Sequence, residues 1–222
     1  MVSSRRTLGS NAKMKFVENS QDVSRLIQIH GRLTPPGPGR KFEVDIVNRS
    51  AIVFITACWE AYLEDVCREV SKLLLKGYKS PDDIPKTIRK SVSQSIYDKK
   101  NPFKLWSLAG DGWRKVLDER LENTLATFHT PTSKNIDSLF ESTIGLDQIS
   151  ARWAWKKMPA RKAREKLDRY IRMRGDIAHR AKSRRPVHKY HVKDFFAHIE
   201  RLVTKTDWAI ENHTLDQFML HW

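Results

Sequence analysis

All-α is the fold class this sequence predicts, on three observations. No segment alternates apolar and polar residues at period two between turn signals, as a half-buried strand requires. Apolar residues instead recur at three- and four-residue steps, the spacing that lines one face of a helix. Proline and glycine clusters punctuate the periodic runs, most clearly at Thr34-Pro35-Pro36-Gly37-Pro38-Gly39.

Residues 1–12 read as a frayed tail, followed by a short helix from about Lys13 to His30 with Met14, Val17, Val23, Leu26 and Ile27 as its apolar positions. After the Pro/Gly breaker comes the strongest element, from about Glu43 to Lys76, in which Val47, Ile52, Phe54, Ile55, Cys58, Tyr62, Val66, Val70, Leu73 and Leu74 keep helical spacing. At about 1.5 Å per residue it makes roughly 50 Å of helix, long enough to be the spine of a bundle. Gly77 is expected to cap it. Ser80-Pro81 signals a helix start, with a shorter helix from there or from Pro85 to Tyr97. Asn101-Pro102 opens a helical region interrupted at Gly110-Asp111-Gly112 and resuming from Trp113 to Phe128. His129 to Ser133 is a turn, Ser133 caps a helix through Thr143, and Gly145 stops it. Pro159 starts a basic helix from about Ala160 to Ala181, with Ala163, Leu167, Tyr170, Ile171 and Ile177 on its apolar face; Ser183 to Pro186 ends it. A final amphipathic helix spans about His191 to Leu215. The expected organisation is a tail and short helix over 1–40 and one helical domain over 41–222.

Composition narrows the function classes. No window approaches the roughly 18 consecutive apolar residues of a membrane span, and residues 1–15 lack the apolar core of a signal peptide. Cys58 and Cys67 fall on one helix, roughly 13 Å apart at about 1.5 Å per residue, too far to pair. Two unpaired thiols among apolar neighbours suit a reducing compartment, so a cytoplasmic protein is expected. The net charge is +15, and Arg152 to His191 alone holds fifteen Lys or Arg against three acids, Glu165, Asp168 and Asp176. A field of that strength draws polyanions such as nucleic acid. Arg172, Arg180, Lys182, Arg184 and Arg185 are the candidate RNA contacts within it. Trp153 and Trp155 in the same region read either as base-stacking or as packing residues. His188 and His191 are three apart, but no Cys or Asp cluster completes a metal site, so no metal and no cofactor are expected.

The segment Arg174-Gly175-Asp176-Ile177-Ala178-His179 holds the candidate chemistry. An imidazole exchanges protons near neutral pH, and a guanidinium fork fits a phosphate or the phosphorane formed from it. Together they suffice for transesterification in RNA, where the 2′-OH is the nucleophile. A five-residue step leaves Arg174 and His179 roughly 140° apart on an ideal helix. Either the helix ends near Ala178, or two copies of the segment meet across a symmetric dimer. Asp176 sits between the two and is placed to orient either. Glu60 falls on the apolar spine between Cys58 and Leu63, where it either pairs with a cation such as Arg174 or faces water beside Glu64.

Three blocks in order, Ala57-Cys58-Trp59-Glu60-Ala61-Tyr62-Leu63-Glu64-Asp65-Val66, then Phe128-His129-Thr130-Pro131-Thr132-Ser133-Lys134-Asn135-Ile136 with Leu139-Phe140 and Gly145-Leu146, then Arg174 to His179, resemble the HEPN superfamily. The resemblance is to its RiboL-PSP-HEPN branch, associated with RNA-repair systems, and covers roughly residues 45–215. It implies a HEPN-type helical bundle with a long central helix, a homodimer that unites two Arg-x4–6-His motifs, and metal-independent endoribonuclease activity. It also implies service as a toxin or antiphage-defence effector, with an antitoxin or defence-system protein as a partner. By that carry-over Arg174 steadies the scissile phosphate and His179 is the general acid or base, with an acid such as Glu60 beside the motif. Gly175 departs from the polar residue, commonly Asn, that often follows the motif Arg, and leaves a non-catalytic RNA-binding or partner-binding module as the alternative.

Overall fold

In the computed structural model, α2 (Val44–Gly77) is the longest element and the one on which most others pack. The model describes residues 9–33, 44–97, 101–180 and 186–218. Ile52, Ile55, Trp59, Tyr62, Leu63, Val66, Cys67 and Val70 are all buried and share one broad face of α2, on which the other helices pack. The other α-helices among the described residues are α1 (Asn11–Leu33), α3 (Lys86–Ile96), α4 (Gly112–Ala126), α5 (Ser133–Ile144), α6 (Ala160–Arg180) and α7 (Lys189–Phe218). Short 3-10 turns lie at Pro81–Asp83, Pro102–Leu108 and Ile149–Arg152. The described residues form no strand, only one isolated bridge between Trp155 and Met158. The chain is therefore an all-α bundle around a long central helix, the architecture expected from sequence.

α1 lies outside the 41–222 unit expected from sequence, yet its Ala12, Phe16 and Val23 are in the same core as α2 and α7. Buried Asp207 on α7 holds its start: one carboxylate oxygen accepts the Ser10 backbone N–H at 3.2 Å, and the other accepts the Ser10 hydroxyl and the Tyr62 hydroxyl, the latter at 3.4 Å. Lys13 stands 3.9 Å away as counter-charge.

Two local expectations change. Gly77 is the last helical residue of α2 and lacks the positive φ of a glycine cap; α5, by contrast, does end on such a glycine, Gly145 at φ 75°. Thr132, one residue before the expected Ser133, caps α5 by accepting the Asn135 N–H at 3.3 Å. Ser133 is drawn away by Asp168 of α6, which accepts its backbone N–H at 2.7 Å and its hydroxyl at 2.9 Å. A charged acceptor on a neighbouring helix outcompetes the local cap. The expected breaker at residues 34–39 lies outside the described residues.

Candidate active site

The buried stripe of α6 is made by Ala163, Leu167, Tyr170, Ile171 and Ile177. Arg174 falls three residues after Ile171 and three before Ile177, so helical geometry puts it on that stripe, pointing at α2. There it meets Glu60: Nη2 and Oε2 are 3.9 Å apart, with the side chains 31% and 17% exposed. Of the two placements open to Glu60 in the sequence, the structure takes the one facing Arg174; Glu64 pairs with Arg68 at 3.5 Å instead. At 3.9 Å the charges attract without a hydrogen bond. Arg174 Nε and Glu60 Oε1 are buried with no hydrogen-bond partner among the described residues. A cation half-sunk in a core with an unused donor is expensive, because that donor has given up water for nothing.

Burial pushes the Glu60 carboxyl above its usual range, Arg174 pulls it back, Glu64 adds to the rise and His129 lowers it. The His129 charge is the last of these influences on Glu60, and His129 was not among the catalytic candidates of the sequence. It is exposed in the turn between α4 and α5, just after buried Phe128, and lines a cleft of about 460 Å³ with Thr130, Asn135 and Ser138. The turn is stiffened from within, where the Asn135 amide donates to the Thr130 carbonyl at 2.8 Å, and tied to α6 through Ser133 and Asp168. Its presence in the second motif block was the only signal that could have raised it.

α6 is helical through Arg180, so the helix does not end near Ala178. His179 is exposed and lies roughly 140° round the helix from Arg174. One chain does not aim both at one phosphate. Asp176, half-buried, is three residues before His179 and about 200° from Arg174, so within one chain it can orient His179 but not Arg174. Arg172, exposed, and Gly175 are seven and four residues before His179 and share its face. The helix continues through Gly175, and a Cβ there would meet no atom within 4 Å outside the helix's own backbone. Of the other candidate RNA contacts, Lys182, Arg184, Arg185 and the Arg180 side chain lie outside the described residues.

A model of the RiboL-PSP-HEPN family matches residues 16–212, nearly the whole chain and all the elements just described. The chain belongs to the RiboL-PSP-HEPN family. Neither a curated protein nor a solved structure matches it. Membership points to an RNA-related function, since HEPN domains bind RNA and often dimerise.

Other residues of this HEPN chain settle into structural roles. Trp153 is fully buried, edge-on to Trp59, and its indole N–H donates to Thr206 at 2.9 Å, so it is a packing residue and not a base-stacking one. Trp155 packs partly buried against the core beside His198. His188 and His191 stack, and His191 Nδ1 accepts the His188 backbone N–H at 3.0 Å. Among the described residues no group of three His, Cys, Asp or Glu converges as metal ligands, and no helix is long and apolar enough to cross a membrane. Cys58 and Cys67 are free and buried, and burial pushes the Cys58 thiol up to about 11 and the Cys67 thiol up to about 12. They are protonated thiols in a core, not nucleophiles.

Proposed function

We propose that this protein is a metal-independent endoribonuclease whose active site forms where two copies bring their α6 helices together. The observation that carries this reading is the placement of Arg174: a half-buried guanidinium held by Glu60 at 3.9 Å with a donor unused. Perturbed, incompletely satisfied charges are characteristic of functional sites. The angular separation of Arg174 and His179 favours a site completed by a second copy. In that site one His179 takes the proton of the 2′-OH as its oxygen attacks phosphorus. The other gives a proton to the departing 5′-oxygen as the P–O5′ bond breaks. Arg174 stabilises the charge gathering on the non-bridging oxygens, and the products are a 2′,3′-cyclic phosphate and a 5′-OH. The basic surface from Arg152 to His191 guides RNA to the site. Such an enzyme serves as a toxin or antiphage-defence effector in the cytoplasm, restrained by an antitoxin or a defence-system partner.

The test is to incubate purified wild-type and His179→Ala protein with total RNA in EDTA and analyse the new ends. Cutting by wild type that leaves cyclic phosphate ends, reduced about 10²- to 10⁴-fold in the variant, is expected from the loss of a general acid-base group. Equal cutting by both proteins refutes the assignment of His179. If neither cuts while both bind RNA with steep salt dependence, the protein is a non-catalytic RNA-binding module. That second reading is favoured by Gly175, which leaves no side chain beside Arg174.

A further inference from the structure

α6 and α7 run antiparallel: Tyr170 meets Asp194 and Phe195, while Ala163, two turns earlier on α6, meets His198, further along α7. The first turn of α7 therefore lies beside the C-terminal half of α6, and three rings gather there. Tyr190 is 3.9 Å from His191 between ring centroids, and His188 stacks at 5.7 Å on Tyr190 and 5.6 Å on His191. The bond from the His188 backbone N–H to His191 Nδ1 fixes the cluster to the start of α7. Its outer side is bare, with His188 exposed and Tyr190 63% exposed. Rings already held in place give up little further freedom when a flat ligand covers them.

The same corner is positive. Arg169, whose guanidinium stands 5.7 Å over the Tyr170 ring, and Arg172, one turn on, are both exposed on α6. Both lie within about 80° of His179 round the helix, and Arg172 is about 10.5 Å from it along the axis. Lys166 on α6 and Lys189 and Lys193 on α7 bring the local cations to five. Against them stand two acids, half-buried Asp176 and Asp194, and Asp194 already accepts from Lys166 at 2.6 Å and from the Tyr170 hydroxyl at 2.7 Å.

We infer that the His188–Tyr190–His191 stack is a platform for an unpaired base of single-stranded RNA, with Arg169 and Arg172 holding the phosphates between that base and His179. Bare ring faces among cations match the two parts of a nucleotide, its base and its phosphate. A duplex hides its base faces, so the platform selects a single strand. A protein partner is disfavoured because Tyr190 is the one exposed large apolar side chain among the described residues of α6 and the first two turns of α7. The centre of a protein interface is apolar and depleted of charge, and this corner is the reverse. The platform rests on the ribonuclease reading only for its direction toward His179; base binding is measured without cleavage.

The test uses the full-length protein and two 2′-O-methyl dodecamers of equal charge, one oligouridine and one abasic. Neither carries the 2′-OH nucleophile, so neither is cut by transesterification. Fluorescence anisotropy gives the affinities of wild type, Tyr190→Ala, Tyr190→Phe and Arg169→Gln. Tyr190→Ala is expected to weaken oligouridine binding about five- to hundredfold, the range for one stacked base, and to leave abasic binding unchanged. Tyr190→Phe keeps the ring and should bind as wild type does. Arg169→Gln should weaken both oligomers and lower the slope of log affinity against log salt by about 0.7, one phosphate contact on a single strand. Tyr190 and Arg169 are exposed, so melting temperatures should not move. No oligouridine binding by wild type, unchanged affinity in Tyr190→Ala, or equal loss for both oligomers overturns the platform. A change of oligomeric state in Tyr190→Ala with oligouridine affinity intact also overturns it and makes the rings a protein interface. An unchanged salt slope in Arg169→Gln removes the phosphate contact. Each outcome is read whether or not His179→Ala alters cleavage.

Discussion

Removing the Arg174–Glu60 pair should make the protein no less stable and inactive. At 3.9 Å two unit charges attract by about 4 kcal/mol at an effective dielectric constant near 20 and by about 1 kcal/mol in water. With Arg174 31% exposed, the pair falls between these limits, at a coupling of about 2 kcal/mol. Glu60→Leu strands a cation that cannot shed its proton and is expected to lose about 2 kcal/mol. Arg174→Met should lose less, because Glu60 can take up a proton. The Glu60 carboxyl is already raised above its unfolded value, mainly by burial, and Arg174 is the first group opposing that rise. A raised acid gives stability at low pH that fades as pH rises through its folded-state pKa, so the defect of Arg174→Met should grow from pH 5 to pH 7. The double variant exchanges an imperfect ion pair for apolar packing and should match or exceed wild type by up to about 2 kcal/mol. Urea unfolding followed by circular dichroism at both pH values gives the four stabilities, and RNA fragmentation gives the activities. If the double variant loses the sum of the single losses, the two side chains do not interact. If it still cuts RNA, Arg174 is held for packing and not for phosphate.

Two further outcomes test the fold around the site. His198 is buried, donates its Nε2–H to the Ala163 carbonyl at 3.0 Å, and has its pKa lowered to about 4, chiefly by burial. Because the folded-state value is depressed below about 6.5, the stability it contributes is complete above pH 6.5 and lost as pH falls toward 4, reaching about 2.5 kcal/mol lost by pH 4.5. His198→Asn should flatten the wild-type curve by that amount over this window; parallel curves would show that the imidazole does not titrate there. Gly175→Ala should stabilise the isolated chain by about 1 kcal/mol and raise Tm by about 2–4 °C, since a Cβ there meets nothing within 4 Å and the helix is regular. A lower Tm in a monomeric sample would contradict that open environment.

Periodicity was enough to place the helices, because a helical residue's face depends only on its neighbours three and four away. The long apolar run of α2, the Pro159 start of α6, the halt at Gly145 and the absence of strands are local signals of that kind, and the motif blocks carried the family. The sequence also determined that the charge gathers on one segment, since charge needs no fold to be counted. What only the tertiary structure decided are contacts between residues far apart in the chain. Ser133 turns to Asp168, 35 residues away, and leaves the cap to Thr132, while Trp153 finds Thr206, 53 residues away, which removes it from the RNA surface. Arg174 could be placed on the apolar stripe from spacing, but that Glu60 was the group opposite it depended on how α2 and α6 cross. That crossing is set by the packing of buried side chains against one another, a property of pairs of helices that no single helix encodes.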